Sequence, residues 1–264
     1  MRTVFVYSIY HRVAFVIGLA YVILMNYLAN AIPFGGQTTA DISNLHPTLI
    51  TPAGYAFSIW GLIYLSFAVF AYYQLRRGKD VRFFRMAWPW AMLNFIANGL
   101  WLLAFQNEWF AISVVLMLFM LFTLFQIFRM FYRLKRAIST TNRFFFQVPF
   151  SIYFGWLSIA SVVNVAVWLK TLNNASIADG ELMIALIMLT VAATLGLLLV
   201  LRFQDYIYAL TIVWALVAIW QNPSSIEVVA NYSKVAAFVL AGFILGIFVM
   251  DRIKVAQYGR TINP

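Results

Sequence analysis

The chain of 264 residues has no cysteine, two histidines and only 10% charged residues. Each shortage removes a class of chemistry. Without cysteine there is no disulfide, iron–sulfur cluster or thiolate metal site. His11 and His46 are too few for a histidine-built zinc or di-iron centre, so no metal is expected. Soluble domains carry roughly 25% charged residues, and a chain with 10% charged and 64% apolar residues is not one of them. The formal charge of +10 would suggest a nucleic-acid partner in a soluble protein. Here the lysines and arginines sit in short clusters between long apolar runs, the pattern of a polytopic membrane protein, and no nucleic acid is expected.

A hydrocarbon core of roughly 30 Å takes about 20 apolar residues per helix, because each backbone N–H and C=O must be bonded within its own segment. Eight segments meet or approach that length: Val13–Ile32, Ala53–Tyr73, Ala87–Phe105, Trp109–Met130, Val148–Leu169, Leu182–Leu201, Tyr206–Trp220 and Val235–Met250. The seventh is short for a span. The connections on the side of the N-terminus hold 16 of the 18 basic residues and the opposite side holds 2, which predicts both termini inside and an even number of spans. Ala29-Asn30-Ala31 after the first segment has the form of a signal-peptidase site, but the expectation is that this segment is retained. The fold class expected is an all-α, polytopic membrane bundle of about eight helices, N-in and C-in. Its organisation is read as a five-helix membrane domain over 1–170 and three further helices over 171–264 packed on the same domain.

All eight carboxylates fall outside these spans or at their ends: Asp41, Asp80, Glu108, Asp179, Glu181, Asp205, Glu227 and Asp251. An ionisable group at bilayer depth usually marks a proton or ion path. Its lack disfavours a proton relay and acid–base catalysis alike, so no catalytic residue is assigned. What the spans do contain is amide and indole. In the third, Trp90, Asn94, Asn98, Trp101 and Phe105 recur at helical spacing on one face. In the fifth, Trp156, Ala160, Asn164 and Trp168 form a second stripe beside Ser161, and the second span adds Phe57, Trp60 and Tyr64. Such faces suit a pocket for a flat, mostly apolar ligand. They equally suit interhelical hydrogen bonding and packing. Between the first two spans, Pro33 to Pro52 reads chiefly as a solvated loop, with a lid over an outward mouth as the alternative for Asp41, His46 and Gly35-Gly36-Gln37. Thr51 is expected to cap the second span and Pro52 to occupy its first position.

Three stretches, in order and on the expected helices, resemble the TspO/MBR family, the translocator-protein or tryptophan-rich sensory group. His46-Pro47, Pro52, Trp60 and Ile63-Tyr64 follow the pattern that opens the family's second helix. Leu93-Asn94, Asn98 and Trp101 match its third helix, and Trp156, Ala160-Ser161 and Asn164 its fifth. Leu49 stands where the family has tryptophan, Thr51 where it has the first of two prolines, and Pro149 lies seven residues before Trp156 instead of four. The resemblance covers roughly residues 12–170. It implies a five-helix bundle around a ligand pocket, a location in a bacterial cytoplasmic membrane, and binding of porphyrin, haem or another tetrapyrrole, or of a sterol-like molecule, for sensing or transport. No cofactor is required by it. By that resemblance Trp60, Tyr64, Asn94, Asn98, Trp101, Trp156, Ala160 and Asn164 would line the site, with His46, Pro47 and Pro52 in the lid. Axial ligation of haem iron by His11 or His46 is not expected, since neither lies within a span. Sterol-type patterns occur at Val69, Tyr72 and Arg76 and at Val255, Tyr258 and Arg260, and carry little weight at basic helix ends. The partners expected are the bilayer, the small molecule, and a second copy or a membrane complex. The alternative function is an accessory subunit with no small-molecule activity.

Overall fold

Segments that must bond their own backbone in lipid become helices, and every regular element among the described residues of the computed structural model is helical. The structure describes residues 9–77, 81–134, 140–172 and 175–262. Arg2 and Asp80 lie outside them, as do the side chains of Asp179 and of the sterol-type pattern from Val255 to Arg260. The first five spans become α1 (Ile9–Ala31), α3 (Ile59–Arg77), α4 (Val81–Gln106), α5 (Phe110–Leu134) and α6 (Thr140–Thr171). The last three become α7 (Ala175–Phe203), α8 (Tyr206–Trp220) and α9 (Glu227–Ile262). Most helices outrun their apolar stretch, because a helix continues through polar residues once outside the hydrocarbon. Six are long and apolar enough to cross a membrane. The two that fall short are α8, with 15 residues, and α4, whose tryptophans, asparagines and Pro89 dilute its hydropathy.

Two features differ from the sequence reading. The loop after α1 contains a short helix, α2 (Thr39–Leu45), opened by a capping box in which Thr38 Oγ1 accepts from the Asp41 amide and the Asp41 carboxylate accepts from the Thr38 amide. Those bonds from Thr38 hold the Asp41 carboxyl below its ordinary range. Thr51 does not cap α3. Its hydroxyl accepts from the Thr48 amide in a turn, and the chain then passes through a 3₁₀ turn at Gly54–Ser58 before α3 begins. Pro149 lies inside α6, which begins at Thr140.

The neighbours follow from residue size. α4 packs between α1 and α5, and α6 reaches α3, α5 and α8. Ala209, Ala215 and Ala218 are fully buried in α8, where short side chains let α6, α7 and α9 approach. α6 comes close to α8 at Gly155, where a Cβ would stand 2.8 Å from Thr211 Cβ and 2.9 Å from the Tyr208 carbonyl oxygen. α7 gives way to α8 within two residues: Gln204 takes φ 56° and Asp205 caps α8 by accepting from the Tyr208 amide at 3.1 Å.

Asp205 lies at a span end, as its position in the sequence indicates, yet it is fully buried. Its carboxylate accepts from Ser151 Oγ at 2.6 Å and from the Tyr132 hydroxyl at 3.1 Å. Burial raises this carboxyl above its ordinary range, against the opposing pull of those donors.

Candidate functional site

Trp60 joins α3 to α4 and α6. It stacks on Tyr64 one turn along α3 (5.7 Å between ring centres), leans on Trp101 of α4 (6.3 Å), and meets Tyr153 (5.7 Å) and Trp156 (6.4 Å) of α6 at steep angles. Phe57 meets the edge of Trp156 and Phe105 stacks on Trp101. Each such pair contributes about 0.5–1.5 kcal/mol beyond its buried area. The rings therefore hold one another in place and also wall two spaces.

On the inner side of Trp60 lies a hollow of about 40 Å³, lined by Trp101, Trp156, Ala160, Asn164, Pro52 and, from α2, Thr39 and Ser43. On the outer side lies a fissure of about 320 Å³ between α1 and α3, lined by Ile23, Asn26, Tyr27 and Tyr64 and open at its flank. Thr39, Phe57, Trp60 and Trp101 face both. Three polar atoms around these spaces are buried without a hydrogen-bond partner: Ser43 Oγ, Trp156 Nε1 and Tyr64 Oη. Groups of this kind are normally paired in a folded interior.

The expected lining residues divide. Trp60, Trp101, Trp156, Ala160 and Asn164 border the inner hollow, and Tyr64 borders the fissure. Asn94 does not reach either space. Its amide donates to the Met120 carbonyl (3.0 Å) and to Thr123 Oγ1 (2.7 Å), tying α4 to α5. Asn98 is also withdrawn: it accepts from Asn26 of α1 (2.9 Å) and donates to the Tyr153 hydroxyl of α6 (3.2 Å). Asn164 accepts from Trp101 Nε1 (2.9 Å) and donates to Ser113 Oγ (2.8 Å), so it fixes the indole plane at the hollow. Trp90 packs on Phe122 of α5. Substituting Asn98→Ala should lower stability by about 1–2 kcal/mol, because the Asn26 amide and Tyr153 hydroxyl both lose partners; unfolding of the purified protein in mixed micelles measures it.

The loop between α1 and α3 is fastened from three directions. Buried Gln106, at the end of α4, donates to the Ala29 carbonyl (2.7 Å) and accepts from the Phe34 amide (3.0 Å). His46 Nε2 stands 3.0 Å from the Glu108 carboxylate, and Lys170 of α6 donates to the Pro47 carbonyl. His46 and Pro47 thus clamp the outer edge of this loop while Pro52 borders the hollow. Beyond Pro47 the chain is held by the last helices: the Ala53 amide donates to the Ala218 carbonyl (2.9 Å), Asn222 donates to the Thr51 carbonyl (2.8 Å), and the Tyr55 hydroxyl donates to Gln221 (2.8 Å).

A family model described as TSPO-like protein matches residues 12–249, nine-tenths of the chain. This chain belongs to the TSPO-like family. The match runs through α7 and α8 and into α9, well beyond the 12–170 over which the sequence motifs are recognised. No curated protein and no solved structure matches it. In this TSPO-like chain the last helices are joined to the site, since α8 and its following turn hold the backbone from Thr51 to Ala56 against the hollow.

Sequence reasoning missed Asn26, Thr39, Ser43 and Gln106. An asparagine in the last third of the mostly apolar α1 was a usable signal for Asn26, and the Thr38-x-x-Asp41 spacing was one for α2. Nothing local marks Gln106, whose importance comes from residues some 70 positions away.

Proposed function

We propose that this TSPO-like membrane protein binds a flat lipophilic ligand, of the tetrapyrrole class, at Trp60, as a receptor or carrier. The observation that supports this reading is the set of unpartnered polar atoms of Ser43, Trp156 and Tyr64 beside a cluster of aromatic plates. A ring system stacked on the indoles with polar groups at its edge satisfies both halves of that arrangement. The resting hollow of about 40 Å³ holds a water or two, and the fissure of about 320 Å³ reaches only the low end of ligand pockets. Binding therefore includes displacement of the Trp60 ring, which separates the two spaces and joins them when it swings aside.

Titration of the purified protein with protoporphyrin, followed by absorbance and tryptophan quenching, tests this. Saturable quenching is expected in the wild type. Trp156→Phe, which removes only the N–H and part of the ring, should weaken binding several-fold. Trp60→Ala should weaken it by at least about tenfold, through loss of stacking area. Binding that never saturates, or that is equal in all three proteins, refutes the proposal. If a stoichiometric membrane protein co-purifies and no quenching is found, the accessory-subunit reading takes its place.

A further inference from the structure

We propose a second binding site, for one anionic phospholipid, in the groove between α5 and α7 on the basic face of the molecule. It shares no residue with the spaces around Trp60, and it stands or falls independently of them.

The groove has a volume of about 750 Å³ and is open along one side. Its walls come from Leu118, Phe122 and Phe125 of α5 and Leu195 and Leu199 of α7, and its floor includes Phe154 of α6. It exists because α6 and α8 separate α5 from α7 along most of their length. At the basic end the two helices are bridged by a ring cluster, with Phe128 to Phe203 at 5.0 Å and Tyr132 to Phe203 at 4.8 Å. Beside that cluster stand Arg129 and Arg133, one turn apart on α5 and both exposed.

Charge complementarity selects the occupant. The ion pair among the described residues is His46–Glu108, at the lid, and no described carboxylate pairs with Arg129 or Arg133. The nearest buried acid on this face, Asp205, is engaged by Ser151, Tyr132 and the Tyr208 amide. The polar floor is likewise closed, since the Tyr208 hydroxyl donates to Ser158 and Ser158 donates to the Phe154 carbonyl. The groove therefore presents two unneutralised guanidinium groups and otherwise hydrocarbon. From Leu118 to Arg133 the helix rises roughly 22 Å. That exceeds half of a hydrocarbon core roughly 30 Å thick, so a chain laid along the groove reaches the bilayer interior while its phosphate remains at the arginines. A neutral lipid fills the same walls but leaves the arginines unpaired, and a soluble anion pairs with the arginines but leaves the walls empty. An anionic phospholipid does both.

The test is native mass spectrometry of the full chain released from mild detergent, after equilibration with equal amounts of phosphatidylglycerol and phosphatidylcholine of the same acyl composition. Each interfacial arginine contributes roughly a fivefold preference, so the wild type should retain phosphatidylglycerol about 25-fold over phosphatidylcholine. Arg129→Gln/Arg133→Gln, exposed substitutions that leave the packing intact, should bring the ratio close to one. Leu195→Trp, which fills the groove, should reduce retention of phosphatidylglycerol while both arginines remain. Inorganic phosphate at millimolar concentration should not displace the lipid. A ratio near one in the wild type, an unchanged ratio in the double variant, unchanged retention in Leu195→Trp, or displacement by phosphate overturns the proposal.

Discussion

Asp205→Ala is expected to destabilise the protein by about 3 kcal/mol, the largest effect of any single polar truncation described for it. The substitution strands three donors at once: the Ser151 hydroxyl, the Tyr132 hydroxyl and the Tyr208 amide that begins α8. Water does not replace the lost oxygens at Ser151 and Tyr208, since both residues are buried with Asp205. α8 has only 15 residues, so losing its cap affects a large fraction of the helix. Asp205→Asn keeps an acceptor oxygen and should cost about 1 kcal/mol. Unfolding in mixed micelles gives both values, and an alanine variant as stable as the wild type would remove Asp205 from any structural role.

The pH dependence has a definite sign. Burial raises the Asp205 carboxyl in the folded state, so the folded protein holds this proton more tightly than the unfolded chain does. Its contribution is complete below the ordinary carboxylate value of about 3.9 and declines as pH rises through the raised folded value. The difference in stability between the wild type and Asp205→Asn should therefore shift against the wild type as pH increases over that window. Asp41, held below its ordinary range by Thr38, acts in the opposite sense: its contribution is present above the ordinary value and is lost as pH falls through the lowered one. It is common to both proteins and cancels in the comparison.

Gly155→Leu should have the second large effect. Even a methyl group there meets Thr211 Cβ at 2.8 Å and the Tyr208 carbonyl oxygen at 2.9 Å, and a backbone oxygen in mid-helix does not turn aside as a side-chain tip would. Gly155→Ala should cost about 2 kcal/mol by overpacking, and leucine more. The consequence reaches beyond α6 and α8. Ala218 and Trp214 on α8 hold the backbone at Ala53 and Ala56, so a displaced α8 loosens the turn that positions Phe57 and Trp60. Faster cleavage between Pro47 and Gly54 by a non-specific protease, together with weaker porphyrin quenching, is the expected signature. A stable Gly155→Leu variant with an unchanged cleavage rate would show that α6 and α8 do not support the loop before α3.

Much of the fold is legible in the chain because lipid imposes a strict rule. An apolar run without water to bond its backbone must be a helix, and all eight such runs coincide with helices, six of them long and apolar enough to cross a membrane. Even α8, too short to be secure on hydropathy alone, is bounded by visible signals: Asp205 as its cap and Asn222-Pro223 after it. The short loop helix α2 was obscured by its seven residues and its lack of an apolar stripe, although its capping pair is written at Thr38 and Asp41. In the site, helical spacing placed Asn94, Asn98 and Trp101 on one face of α4, but a face some 100° wide meets several neighbours. Asn94 turns to α5, Asn98 bridges α1 and α6, and Trp101 alone of the three faces the hollow.

The amino-acid sequence by itself determined that this protein is helical and resides in a membrane, and it marked which side chains are costly enough in lipid to need a partner. Only the tertiary structure decided which partner each one has. That choice depends on the rotation and separation of neighbouring helices, which are set by contacts such as Gly155 on α8 and Gln106 on the loop after α1. For the same reason the unpartnered atoms of Ser43, Tyr64 and Trp156 become visible only once the helices are placed against one another. A hydrogen bond is local in space, and in a bundle the groups that share one are far apart along the chain.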